Sequence, residues 1–352
     1  MPGKFSIRLL AFVSGLALLC GLGRALMAND LPTIKAPEPN RADEPLAGKL
    51  SFAKAAEFLD AANLQWTQQR KCGSCHTNYP YLMARPLLKE ANNSAAQEIR
   101  HFFEDRAANW ETAKPRWDTE VVATAAALAF NDAQTTGKLH PLTRKALHWM
   151  WKLQRPDGAW NWLKCNWPPM EADDYFGVTN ALLGVGIAPE KYSETEAARD
   201  GLARIRTYLQ KTPPPSLHHK TMLLWDSCLL PDLMTAAERQ ATVKELLAVQ
   251  REDGGWSLPS LGEWKRHSGE PNDKAASPSD GYATGFVVYV LRQAGLPKDD
   301  AAMRRAVEWL RTHQRESGRW FTRSVNDDKH HYIAHAGSAF AVMALRSCDA
   351  SE

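Results

Sequence analysis

The sequence predicts an all-α protein, an α/α toroid in which helical hairpins close into a ring, and three observations carry that expectation. The dipeptide Gln-Arg closes a helix-like apolar run four times, at Gln69-Arg70, Gln154-Arg155, Gln250-Arg251 and Gln314-Arg315. Three of these are followed by the same turn, Gly158-Ala-Trp160, Gly254-Gly-Trp256 and Gly318-Arg-Trp320. One unit used several times signals a repeat architecture. Second, the segments between Gly/Pro loops carry a 3.6-residue apolar period, and convincing strand alternation is absent. Third, the helices come in two kinds. Those ending in Gln-Arg are amphipathic, as in Ala306-Val-Glu-Trp309-Leu310, whereas their followers, such as Val121 to Ala129, Val178 to Gly184 and Ala339 to Leu345, are apolar nearly all round. A helix apolar on every side must be buried, so each hairpin pairs an outer with an inner helix. An open solenoid would leave the inner row facing solvent, so the closed ring is favoured.

Taken in order, the chain opens with Lys4 and Arg8, an apolar stretch from Leu9 to Leu22 and small-residue sites ending at Ala25 or Ala28. That is the layout of a secretory signal over residues 1–28. The run is shorter than the ~20 apolar residues of a spanning helix, and Gly15, Gly21 and Gly23 weaken it. Export to the periplasm or the cell exterior is therefore expected, with no membrane span after cleavage. Residues 29–48, with Pro32, Pro37, Pro39 and Pro45 among charges, read as a flexible leader. A single toroid domain follows over 49–350. Its helices are expected near 51–69, 87–109, 119–133, 141–154, 175–187, 195–210, 217–229, 235–250, 281–294, 299–314 and 334–347. The formal charge is +3; removing 1–28, which holds Lys4, Arg8 and Arg24 but no acid, leaves a neutral chain. Nothing basic remains to bind nucleic acid.

The Gln-x-x-x-Gly-x-Trp turns resemble the repeat motif of squalene-hopene cyclases and, more loosely, of protein prenyltransferase β-subunits. The likeness covers roughly residues 119 to 348, with a degenerate copy around Tyr208-Leu-Gln210. It implies the same α/α toroid. In physical terms Gly terminates the outer helix, Gln bonds the open end of a neighbouring helix, and Trp packs across the junction. These residues are expected to hold the fold together rather than to carry chemistry.

The fourth Gln-Arg is followed by Cys72-Gly-Ser-Cys75-His76, within a segment at 69–90. This spacing attaches c-type haem, two thioethers to the cysteines and an axial nitrogen from His76 to the iron. Met83 is the nearest sixth-ligand candidate. A Cys72/Cys75 redox pair or disulfide, and a zinc site completed by distant ligands, are the alternatives. Cys165, Cys228 and Cys348 are the other cysteines of the mature chain, and their pairing is open.

Glu171-Ala-Asp173-Asp174-Tyr175 starts an inner helix. The cyclase resemblance implies that Asp173 is a proton donor assisted by Glu171 and Asp174, although Glu171 stands where that family has Asp; helix capping is the alternative. The last repeat offers His330, His331 and His335, the latter two one helical turn apart, and these with Tyr175 are cavity candidates. Three readings follow. The first is an exported haem-carrying toroid acting in electron transfer, or oxidising an apolar small molecule held in the ring, with a redox partner. The second is a terpenoid-cyclase-like isomerase using Asp173, and the third a non-catalytic binding module.

Overall fold

The structure, a computed structural model, describes residues 35–350. The expected signal at 1–28 and the start of the expected leader lie outside the described residues. Twelve α-helices occur among the described residues. They are α1 (Phe52–Arg70), α2 (Asn78–Ala84), α3 (Ser94–Asn109), α4 (Asp118–Thr135), α5 (Pro141–Leu153), α6 (Asp174–Ile187), α7 (Glu196–Lys211), α8 (Leu217–Leu229), α9 (Ala236–Ala248), α10 (Gly281–Gln293), α11 (Ala301–Thr312) and α12 (Ile333–Ser347). Extended pairing among them is limited to isolated bridges. No helix of the described residues is long and apolar enough to cross a membrane.

The odd-numbered helices form an outer row and the even-numbered ones an inner row. In α11, Met303, Ala306, Trp309 and Leu310 are buried while Arg304, Arg305 and Glu308 face solvent, the single apolar stripe of an outer helix. In α12 every residue from Ile333 to Leu345 is buried. The inner helices contact one another in sequence, α2 on α4, α6, α8, α10 and α12, and α12 returns to α2. The ring is closed. Its centre is filled by aromatic side chains: Trp225 meets Phe130, Tyr289 and Phe340, and Phe286 meets Tyr282 and Phe340.

The repeated turns are superimposable in their bonding. Gln154 Nε2 donates to Gly158 O and Gly201 O, Gln250 Nε2 to Gly254 O and Ala302 O, and Gln314 Nε2 to Gly318 O and Ser51 O. Each Gln thus ties its own turn to the next outer helix. The three glycines sit at φ between 93° and 96°, the left-handed region that L side chains avoid. Each Trp indole donates back to its own outer helix, Trp160 to Met150 O, Trp256 to Leu246 O and Trp320 to Leu310 O, and all three rings are fully buried. The last turn closes the outer row as well, because Ser51 N donates to Gln314 Oε1 at 2.7 Å.

Two stretches differ from the sequence expectation. A helix beginning near 87 was expected; instead α2 occupies 78–84 and α3 starts at Ser94. Pro80 falls in the first turn of α2, where a missing N–H costs nothing, and Pro86 then stops it. Asn93 caps α3 by accepting from Ala96 N. The described part of the Pro-rich segment, 35–48, lies against the ring closure. Ala47 N donates to Gln314 O, Glu44 pairs with Arg319 at 2.9 Å, and Asn40 is buried.

Candidate functional site at the ring mouth

Because each outer helix hands over to an inner one, the N-termini of the inner helices share one end of the ring. The Cys72 to His76 loop enters there, immediately before α2. Its winding is dictated locally. Lys71 turns left-handed at φ 50° to end α1. Asn78 then holds the loop, accepting from Ser74 N through Oδ1 and donating to Cys72 O and Thr67 Oγ1. Gly73 is required, since a Cβ there would run into the Tyr79 hydroxyl. Three long loops roof the mouth and are tied together: Asn326 donates to Asn166 O, His267 N to Asn326 O, and Asn272 to Val325 O.

Cys75 is buried and Cys72 half-buried, and both line a crevice of about 40 Å3 with Tyr79, Phe103 and Glu171. Burial pushes both thiols up from 9.0, with the Glu171 charge adding to it; a Trp66 contact works the other way at Cys72. Glu171 itself is raised by burial to about 7. The imidazole of His76 faces elsewhere, packed edge-on to Trp66, stacked on Tyr332 and beside Trp167. Burial lowers it, and likewise His335, to about 3, so both rings are neutral.

Their tautomers follow from a chain of hydrogen bonds. Arg319 donates to Asn40 Oδ1 at 2.7 Å, which turns the Asn40 amide N–H toward His335 Nε2 at 3.2 Å. His335 therefore carries its proton on Nδ1 and donates to the Thr77 hydroxyl, 3.2 Å away. That hydroxyl donates in turn to His76 Nδ1 at 2.7 Å, leaving the His76 proton on Nε2. A haem of the c type needs a bare axial nitrogen, and two sulfurs at its edge. The residues as arranged leave no room for that group: rings wall the imidazole, and the crevice at the thiols has room for a few water molecules. Met83, the expected sixth ligand, is buried in the hydrophobic core on α2. Among the described residues no three His, Cys, Asp or Glu side chains gather in a way that holds a metal ion, so zinc finds no ligand set either.

Asp173 is the N-cap of α6, accepting from Phe176 N, and lies 3.1 Å from His219 Nε2. Burial would raise its carboxyl, but His219 and the backbone N–H groups outweigh that and hold it below the usual range. A proton donor has the opposite requirement, and the neighbouring carboxyl that meets it is Glu171. Asp174 points away to Arg155 and Lys164, both at 2.9 Å. The Trp residues of the repeats are fully buried at the junctions and bonded to their own outer helices. Tyr175 stands edge-on to His219. His331 precedes α12 at φ 47°, with Nδ1 accepting from Ser324 N, so it does not share a face with His335. His330 is exposed and stacks on Tyr332.

Sequence reasoning missed the His218-His219 pair and Asp226, buried on α8, and Asp280, the N-cap of α10. The signal for Asp280 was present: it occupies the register of Asp173, at the start of an inner helix.

No protein-family model matches the chain, and no curated protein sequence does. Solved structures do. An ent-copalyl diphosphate synthase from Streptomyces platensis superimposes with a TM-score of 0.51 at 14% identity, over 78% of this chain and 50% of the synthase. The chain thus spans about half the length of that enzyme. A glycosidase in complex with glucose gives 0.52 at 9% identity, over 85% and 98% of the two chains. A polysaccharide lyase gives 0.50 at 11%, over 85% and 97%. Likeness at this level of identity defines the class of fold, an α/α toroid, and no more.

Proposed function

We propose that this chain is an exported redox protein whose working group is the Cys72/Cys75 pair, a dithiol that exchanges with disulfides at the toroid mouth. One observation carries the reading: both thiols share a narrow crevice with Glu171, a carboxyl raised to about 7. Thiols pushed above 9.0 supply little thiolate at neutral pH, and the thiolate is the nucleophile. A half-ionised carboxyl beside them takes the proton when it is needed. In the forward direction the more exposed Cys72 gives its proton to Glu171 and attacks a substrate disulfide, whose S–S bond breaks. The first substrate sulfur leaves as a thiol with a proton from Glu171. Cys75 then displaces the second sulfur from the mixed disulfide, and its proton goes with that sulfur. The substrate departs as two thiols and the protein holds a Cys72–Cys75 disulfide. An oxidising compartment outside the cytoplasm suits such a couple.

The test uses protein from an exporting, haem-ligating host, reduced and then offered oxidised glutathione. Stoichiometric oxidation of Cys72 and Cys75, abolished in Cys72→Ser and slowed about tenfold in Glu171→Gln at pH 7, is the expected result. Mass spectrometry showing a haem on the Lys71 to His76 peptide, or thiols that stay reduced, overturns the reading.

A further inference from the structure

We infer that the cleft between α7, α8 and α9 binds an amphipathic monocarboxylate, whose head is held by the Tyr175 hydroxyl and Arg206 and whose acyl chain lies along an apolar wall. The cleft measures about 440 Å3, a size typical of small-molecule sites, and shares no lining residue with the thiol crevice. Leu209, Leu223, Leu233 and Met234 form its apolar wall.

Its acids are already engaged. Asp232 pairs with Arg206 Nη2 at 2.6 Å, Glu245 with Lys220 at 2.8 Å, and Glu238 closes the capping box of α9. Two buried polar atoms are left without a partner, the Tyr175 hydroxyl and Arg206 Nε, and Tyr175 is only 2% exposed. Burial first, and then the nearby Asp226, push the Tyr175 hydroxyl well up, so it keeps its proton at neutral pH and serves as a donor. Leaving buried donors unmade is costly, and an incoming acceptor recovers that cost. Of the acceptors, a carboxylate suits best, because a guanidinium is a permanent cation and its Nε–H is the arm that the Asp232 pair leaves open. The wall beside it favours an alkyl chain over a sugar.

Calorimetric titration of the full chain with octanoate, against 1-octanol as the uncharged control, tests this. Saturable one-to-one binding is expected, at least tenfold tighter for octanoate, with Tyr175→Phe and Arg206→Met each weakening it about tenfold. Leu223→Trp, which adds bulk at the apolar wall, should abolish it, while Cys72→Ser/Cys75→Ser binds as the parent does. Helical circular dichroism checks each variant's fold. Absence of saturation, equal binding of octanol, or indifference to Tyr175→Phe overturns the proposal.

Discussion

At Thr77 a single hydroxyl sets the tautomers of two histidines that burial keeps neutral, and that burial gives a pH dependence with a definite sign. His76 and His335 have folded pKa values of about 3 against 6.5 when unfolded. The unfolded chain therefore binds their protons first, so stability is whole above 6.5 and is lost as pH falls toward 3. Each ring should cost roughly 1 to 2 kcal/mol at pH 5. Glu171 acts in reverse: its folded value of about 7 against 4.5 keeps stability whole below 4.5 and removes it as pH rises through 7. Urea titrations at pH 5, pH 7 and pH 8 separate the two. His335→Gln should lose less on acidification than the parent, and Glu171→Gln should gain at pH 8; equal slopes in all three proteins would contradict the assignment. None of this was legible in the sequence, where Asp173 and Glu171 look alike. Burial and the His219 contact distinguish them, and both come from residues far along the chain.

The elements were far more legible than the site. Gly-x-Trp after Gln-Arg marked three hairpin turns, because a left-handed glycine and a buried indole are local requirements that leave a local trace. The short inner helix α2 left none. Seven residues with a proline among them carry too little period, and the apolar Leu87-Leu88 pair drew the expected helix to the wrong side of Pro86. The turns also differ in what their loss should do. Trp160, Trp256 or Trp320 to Ala should each lower stability by about 3 to 5 kcal/mol, read as denaturant midpoint, since a fully buried aromatic is removed. Thiol exchange at Cys72 should survive in the folded fraction. Gln250→Ala should cost about 1 to 3 kcal/mol through unmade bonds to Gly254 and Ala302.

For the whole molecule, closure is expected from helices apolar on every side, and the structure bears it out in the inner row, with Gln314 and Ser51 joining the first and last outer helices. What no periodicity announced is the use of residues 35–48 as a clasp over the seam, because its contacts are a few scattered bonds, the side chains of Asn40 and Glu44 on Arg319 and the backbone of Ala47 on Gln314. Removing the chain through residue 48 should lower the melting temperature and quicken alkylation of Cys75, since the bonds that orient His335 and Thr77 go with it. Unchanged melting would mean the clasp is decorative. Closure also has a history in time. The contacts that seal the ring join Ser51 to Gln314 and α2 to α12, so they cannot form until almost all of the chain has been delivered. A chain that emerges N-terminus first leaves the His76 ring uncovered throughout that wait, because Tyr332, which stacks on it, and Ala336, whose N–H meets its carbonyl, are among the last residues to arrive.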